Sequence, residues 1–162
     1  MILETRREDY EALRAGIAPR HFMLADTAIA PPEIIEMLSG VAAKVGAMFS
    51  PVSWLIVEDG EIVGLCSVTR PPVGGVVDIG YGIAPSRQNR GIARRAISEI
   101  VRWAICTPHV VAITADTARD NVASQRVLRA NGFDLVGERV DEEDGLMICW
   151  RCSTGLTSGL PE

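Results

Sequence analysis

The chain has 162 residues, 48% of them apolar and 23% charged, a composition typical of a globular protein with one core. Its net charge of −5 argues against binding a phosphate backbone, and its 5% aromatic content argues against a stacking platform for single-stranded nucleic acid. No apolar run reaches the roughly 18 residues of a membrane span, and the start lacks the residue order of a signal peptide. We therefore expect a cytoplasmic protein that contacts neither nucleic acid nor a membrane.

The first half of the chain predicts two helices and an antiparallel meander. In order, the predicted elements are an edge strand at 2–4, a helix at 9–15, a helix beginning at Pro31-Pro32, and strands at 52–57, 62–69 and 76–83. The Asp-Gly pair within residues 58–61 predicts the hairpin turn that joins the first two strands of the meander.

The second half alternates helices and strands. Residues 91–106 have one apolar and one charged face, which predicts an amphipathic helix. The other predicted elements are a central strand at 110–115, a helix at 121–130 and a final hairpin at 133–140 and 145–150. This order predicts an α/β (α+β) fold with a mixed, mostly antiparallel central sheet and helices on both faces.

Composition also predicts the domain limits and the state of the cysteines. Residues 153–162 are rich in Gly, Ser and Thr and are expected to form a flexible tail. Cys149 and Cys152 have C-x-x-C spacing, but they end a predicted strand instead of forming a strand-to-helix turn. Because no second pair accompanies them, we expect neither a redox site nor a metal site, and we expect Cys66 and Cys106 to be reduced as well.

The most informative segment is the junction of the strand at 76–83 with the long helix. The first turn of a helix has unpaired N–H groups and a partial positive charge, so it can bind phosphate. Arg87 and Arg90 add charge in the loop, Gly91 lets a phosphate approach the backbone, and Asn89 tolerates a positive φ. The junction therefore predicts a pyrophosphate cradle.

Two other nucleotide motifs fit this loop poorly. It has no Gly-Lys-Ser/Thr ending as in a Walker A loop, and it has one glycine where a dinucleotide fingerprint needs three. An ordinary arginine-rich surface turn is the remaining alternative.

Two motifs resemble the GNAT N-acetyltransferase superfamily. The run Gln88-Asn89-Arg90-Gly91-Ile92-Ala93 fits its Q/R-x-x-G-x-G/A signature, with Asn89 where many members have glycine. Residues 120–133 are similar to its second motif, an Asn-x-x-Ser-x-x-x-Leu helix that ends in Gly-Phe. The resemblance covers residues 1–152 as a single domain and is closest to the ribosomal-protein N-terminal acetyltransferase-like subgroup.

The resemblance implies an acyltransferase that moves acetyl from acetyl-CoA directly to a primary amine in a ternary complex. The acceptor is a protein N-terminus or a small-molecule amine, and no metal is needed. The residues implied to bind the coenzyme are Ile83 and Ala84 for the pantetheine arm, Gln88, Asn89, Arg90, Gly91, Ile92 and Ala93 for the pyrophosphate, and Asn121 and Ser124 near the reacting end. A homodimer is compatible with the sequence.

The catalytic candidates are fewer. The resemblance places Ser124 near the coenzyme sulfur, while Asn121 and Ser124 could equally serve as a helix cap and a backbone-bonded serine. Leu128 stands where many relatives have a tyrosine, so this helix offers no tyrosine acid. Asp78 and Asp116 are the leading candidates for the general base.

Further candidates lie in the final loop and in two histidines. Glu142 and Glu143 are secondary candidates for the base. The acidic loop 141–145 is either a solvated hairpin tip or a rim that attracts a cationic amine. His109 is expected in a turn, and His21 belongs to segment 17–31, which would wall the acceptor pocket. The alternative function is a non-catalytic acyl-CoA-binding or sensing domain.

Overall fold

The computed structural model describes residues 1–156, which form four α-helices, one 3-10 helix and eight strands. In chain order these are β1 (Ile2–Glu4), α1 (Arg7–Arg14), β2 (Met23–Leu24), α2 (Pro32–Gly46), β3 (Ser53–Glu58), β4 (Glu61–Val68), β5 (Val76–Ile83), the 3-10 helix (Pro85–Arg87), α3 (Ile92–Cys106), β6 (Ala112–Ala118), α4 (Val122–Ala130), β7 (Asp134–Asp141) and β8 (Gly145–Ser153). Most strand pairs are antiparallel, so the predicted mixed, mostly antiparallel α/β class is confirmed.

The sequence analysis did not predict β2, and it placed β6 two residues too early. β2 has only two residues and pairs parallel with the start of β4, so it is too short to show an alternating pattern. The central strand predicted at 110–115 is β6, which extends three residues further. Its second half alternates buried and half-buried residues and includes the polar Asp116 and Thr117. This half therefore lacks the continuous apolar run that predicts a central strand.

The chain forms two compact units, and the first consists of Met1–Pro71 with Gly80–Ala96. Here β1 pairs with β3, β3 with β4, and β2 with β4. The apolar side chains of α1 and α2 pack on those of β3 and β4. Its core cluster contains Tyr10, Ile35, Leu55, Val57, Ile62 and Leu65.

The second unit consists of Pro72–Ile79 and the chain from Ile97 onward. Residues 76–79 of β5 pair parallel with β6, β6 pairs antiparallel with β8, and β8 pairs with β7. Trp150 is buried in this unit, where its indole N–H donates to Thr117 Oγ1 over 2.9 Å. The guanidinium of Arg129 lies 5.1 Å from the ring centroid, in cation–π geometry.

The first two residues of the predicted tail, Ser153 and Thr154, are bonded to the second unit. β8 continues to Ser153, and Thr154 donates from its backbone N–H to Val111 O (3.0 Å) and from its hydroxyl to Val110 O (2.7 Å). The rest of the predicted tail, residues 157–162, lies outside the described residues. Within residues 1–156, no helix combines the length and apolar content needed to cross a membrane, and no group of three His, Cys, Asp or Glu residues is placed to hold a metal ion.

Candidate functional site

The cradle loop, residues 84–91, follows β5 and leads into α3. The 3-10 helix makes its first turn, and Asn89 and Gly91 then adopt positive φ values of 61° and 74°. The predicted left-handed backbone at Asn89 is confirmed. Left-handed residues in a short turn are typical of loops that direct several N–H groups towards an anion.

The first turn of α3 completes this arrangement. The N–H of Arg95 donates to Gly91 O over 3.2 Å, so Ile92 and Ala93 precede the first bonded turn of the helix. A Cβ on Gly91 would lie 3.1 Å from Arg95 Nη1, and the positive φ would strain any L side chain. Glycine is therefore required here by backbone geometry. The side chain of Ile92 is buried and anchors the helix start, while Ala93 is half-buried.

Arg87 braces the loop, although the sequence placed it at the mouth of the cradle. Its guanidinium donates to both carboxylate oxygens of Glu61, over 2.8 and 3.0 Å, and to Asp26 over 3.1 Å. The hydrogen bond from Arg87 lowers the pKa of the Glu61 carboxyl, and the same bond, followed by the one to Asp26, raises the pKa of Arg87. The side chain of Arg87 is only 13% exposed, so its charge is committed to the protein.

Two further sets of contacts hold the loop, one made by Arg95 and one between Ser86 and Thr27. Arg95 forms an ion pair with Glu58 over 2.5 Å and donates to Arg90 O over 3.2 Å. The N–H of Ser86 donates to Thr27 Oγ1 over 2.9 Å, and the Thr27 hydroxyl donates to Ser86 Oγ over 2.9 Å. Sequence reasoning missed these partners because they are 37 and 59 residues apart along the chain. The side chain of Arg90 is exposed.

The end of β5 is already partly bonded. Gln88 donates from its side-chain amide to Ile83 O over 3.0 Å, which ties the loop to the strand. The N–H of Ala84 donates to Val63 O, and Ala84 O accepts from Arg87 N, each over 2.8 Å. The N–H of Ala84 is therefore engaged, and the carbonyl oxygens of Ile83 and Ala84 each accept one bond and have a second lone pair.

In the second unit, Asn121 caps α4. Its Oδ1 accepts from the N–H of Ser124 over 3.2 Å, as the capping alternative anticipated. Ser124 is half-buried in the first turn, and Leu128, at the family's tyrosine position, is fully buried. Gln125, which the sequence did not single out, is buried and donates to Ala118 O and Arg119 O, joining α4 to the end of β6.

Both leading carboxylates have partners in this unit. Asp78 is the third residue of β5, is 8% exposed and accepts from Thr114 Oγ1 over 2.6 Å. Asp116 accepts from Arg139 Nε over 2.7 Å, and Arg139 also donates to Asp141 over 3.1 Å. A base at either position must therefore act from within a hydrogen-bonded pair.

The acidic loop 141–145 folds on itself. Asp141 Oδ1 accepts from the N–H groups of Glu143 (2.9 Å) and Asp144 (3.0 Å). The bonds from Asp144 and Glu143, followed by the bond from Arg139, lower the pKa of the Asp141 carboxyl. Glu142 is exposed, as are Glu143 and Asp144. This geometry is that of a solvated hairpin tip.

The structure describes both histidines and all four cysteines. His109 has a φ of 68° in a turn, as predicted, and His21 stacks on Phe22 with ring centroids 4.4 Å apart. All four cysteines are free, and burial raises the pKa of the Cys66 thiol to about 12. Cys149 and Cys152 are three residues apart in β8, a separation of about 10 Å that a disulfide cannot span.

The fold and the braced loop define an α/β protein with a helix N-terminus suited to an anion. A family model described as an acetyltransferase (GNAT) domain matches residues 2–134, and the chain belongs to this family. A curated relative, the uncharacterized N-acetyltransferase YjdG of Bacillus subtilis (strain 168), is 34% identical over 86 residues. That match covers 51% of each protein, so the chain spans about half the length of the curated relative it matches.

Solved structures extend the likeness over most of the fold. A spermidine N-acetyltransferase SpeG chimera from Vibrio cholerae and hSSAT has a TM-score of 0.69 at 16% identity and covers 95% of both chains. AAC(6')-Ib in complex with paromomycin and acetyl-CoA has a TM-score of 0.67 at 15% identity and covers 94% of this chain and 92% of its own. At such identities the likeness shows the fold alone.

Proposed function

We propose that this protein transfers the acetyl group of acetyl-CoA directly to a primary amine in a ternary complex. The observation that carries the proposal is the cradle loop, in which left-handed Asn89 and Gly91 precede α3 and three sets of long-range contacts fix the turn. A preorganised loop of N–H groups binds pyrophosphate without a cost of ordering on binding. Family membership and the acetyl-CoA bound in AAC(6')-Ib support the choice of coenzyme.

Each predicted coenzyme residue has a specific role in this proposal. The backbone N–H groups of Asn89, Arg90, Gly91, Ile92 and Ala93 bind the pyrophosphate. Gln88 positions the loop through Ile83 O, because its own N–H donates to Pro85 O. The pantetheine amides pair with backbone groups of Ile83 and Ala84 at the end of β5, and the Ala84 carbonyl can accept a second hydrogen bond.

The reaction joins the amine nitrogen to the thioester carbonyl carbon and breaks the C–S bond. Ser124 donates a hydrogen bond to the departing thiolate, and the side-chain N–H₂ of Asn121 remains able to donate to the coenzyme, because capping uses only its oxygen. Asp78 or Asp116 accepts the amine proton. Measuring kcat/KM against pH for Asp78→Asn and Asp116→Asn identifies the base. Only loss of the true base removes the fall in kcat/KM at low pH that protonation of that base causes.

Calorimetry with acetyl-CoA tests the cradle. Gly91→Glu should abolish measurable binding, because the side chain would enter the cradle and add negative charge beside the phosphates. Gly16→Glu is the matched control, since Gly16 is also exposed with a positive φ of 72° and has nothing within 4 Å of its Cβ position. Equal affinity of the two variants would refute the loop assignment.

A non-catalytic acyl-CoA-binding domain is the second candidate. The buried Leu128 and the bonded Asp78 and Asp116 favour it, because each removes a freely placed proton donor or acceptor. Such a domain would bind acetyl-CoA but release no free thiol with any amine. Under the catalytic proposal, Ser124→Ala lowers kcat far more than it weakens coenzyme affinity.

A further inference from the structure

We infer that the acceptor is a small monoamine with an aliphatic or aromatic body, bound in a pocket of the first unit; this inference rests on the proposed acetyl transfer. The α2 pocket, as we name it, lies between α2, β4 and the end of β5 and has a volume of about 350 Å³. Its apolar walls include Ile34, Met37, Leu38 and Leu65. This volume is near the lower limit of small-molecule sites, about 300–1,000 Å³, and suits a small amine better than an extended peptide.

The lining determines which amine bodies are accepted. None of the described residues that line the α2 pocket is charged, and its polar side chains are the hydroxyls of Ser67, Thr69 and Tyr81. Ser67 is 5% exposed, so its hydroxyl is largely removed from water. A second ammonium group would thus lose its hydration without gaining a carboxylate, which is costly.

The pocket adjoins the strand end assigned to the coenzyme. Gly80 and Gly82 line it, and Ile83 follows directly, so about 10 Å of strand separates the far end of this wall from the pantetheine position. Packing does not require either glycine. A Cβ on Gly82 would meet nothing within 4 Å, a Cβ on Gly80 would make only an ordinary 3.6 Å contact with Thr69, and neither has a positive φ. Their bare backbone leaves space for an acceptor beside β5.

An apolar pocket also helps to deprotonate the acceptor. Removal from water disfavours the ammonium form, so the pKa of a bound amine falls from its ordinary value of about 10. The remaining ammonium proton passes to the proposed base, Asp78 or Asp116, and the neutral nitrogen attacks the thioester carbonyl. The C–S bond then breaks, and the second amine proton ends on the coenzyme thiolate, giving the amide and the free thiol. A pocket without carboxylates therefore favours the nucleophilic form.

A matched pair of substrates tests the inference by release of free thiol from acetyl-CoA. Hexylamine and 1,6-diaminohexane have the same length, but the diamine carries a second charge at its far end. We expect kcat/KM for hexylamine to exceed that for the diamine by about 100-fold, as a buried unpaired charge requires. Equal or better use of the diamine, or a preference for the peptide Leu-Gly-Gly, would overturn the acceptor class while leaving acetyl transfer intact. No thiol release with any amine would overturn the proposed function and this inference with it.

A charge placed on the pocket wall gives an independent test. Met37 lines the pocket and is 54% exposed, so Met37→Glu should fold and place a carboxylate beside the acceptor. We expect kcat/KM for hexylamine to fall about tenfold and that for the diamine to rise, so that the preference narrows or reverses. Met48→Glu is the matched control, because Met48 is 77% exposed and does not line the pocket. If both variants keep the wild-type preference, the pocket is not the acceptor site.

Discussion

Two charged loops of this protein differ in how their charges are used. The cradle loop carries Arg87 and Arg90, and the acidic loop 141–145 carries four carboxylates. Arg87 reaches Glu61 and Asp26, which are 26 and 61 residues away. In the acidic loop, Asp141 is bonded chiefly to the N–H groups of Glu143 and Asp144, two and three residues on.

This difference separates a preorganised site from a self-contained turn. Contacts distant in sequence fix the cradle loop against the body of the first unit, so its N–H groups are positioned before any ligand arrives. Contacts within a few residues stabilise the acidic loop but prepare nothing for a partner. Charge density alone does not distinguish the two loops, whereas the partners of each charge do.

Among the contacts that brace the cradle loop, removal of Arg87 should produce the largest effect. Arg87→Ala leaves Glu61 without its bidentate partner and frees the cradle loop, so we expect acetyl-CoA to bind about tenfold more weakly and the melting temperature to fall. Calorimetry and thermal melts measure the two effects. Arg14→Ala removes an exposed ion pair with Glu36 and should change neither quantity appreciably. Unchanged coenzyme affinity in Arg87→Ala would mean that the brace does not preorganise the loop.

The contrast also indicates what sequence can predict. The limits of β5 and the amphipathic pattern of α3 are local, and both were read correctly: β5 is Val76–Ile83 as predicted, and Ile92, Ala96, Ile97 and Ile100 are buried. Positive φ at Asn89 was likewise a local property. The role of Arg87 was misread because it depends on Glu61, and no periodicity connects a loop arginine to the first residue of a strand 26 positions earlier.

The candidate site follows the same rule. The cap at Asn121 could be predicted because its partner is three residues on. The bond from Thr114 to Asp78 and the ion pair of Arg139 with Asp116 could not, since they depend on strand order and register. The α2 pocket was also beyond the sequence, because its walls come from three elements.

Removal of Arg95 should give an intermediate effect. Arg95→Ala breaks the ion pair with Glu58 and the bond to Arg90 O, but the Arg95 side chain is 55% exposed and the Arg87 brace remains. We expect acetyl-CoA affinity to fall about threefold, with little change in melting temperature. Isothermal titration of acetyl-CoA into Arg95→Ala and Arg87→Ala compares the contribution of each arginine to coenzyme affinity. A larger loss of affinity in Arg95→Ala would reverse their assigned order.

Acid should weaken both loops, with different consequences. Glu61 and Asp141 have pKa values below their ordinary 4.5 and 3.8, so each binds a proton less readily in the folded than in the unfolded chain. The stability they add is present above their ordinary pKa values and is lost as pH falls through the lowered ones. Melting temperature between pH 6 and pH 3 should therefore depend less on pH in Glu61→Gln and in Asp141→Asn. At pH 7 only Glu61→Gln should weaken coenzyme binding, and a similar loss in Asp141→Asn would contradict the contrast.

Neutralising the tip of the acidic loop should have the smallest effect. Glu142 and Glu143 are exposed, and no carboxylate lines the α2 pocket among the described residues. We therefore expect the double variant Glu142→Gln, Glu143→Gln to leave KM for hexylamine and for 1,6-diaminohexane within about twofold of wild type at 0.15 M salt, where the Debye length is about 8 Å. The decisive measurement is KM for both amines at low salt. If these carboxylates form a rim that attracts cations, KM for the diamine will rise in the variant and the rise will grow as salt is removed. If KM for both amines changes equally, and only at low salt, the cause is the overall negative charge of the protein. The hairpin tip would then have no specific role in selecting the acceptor.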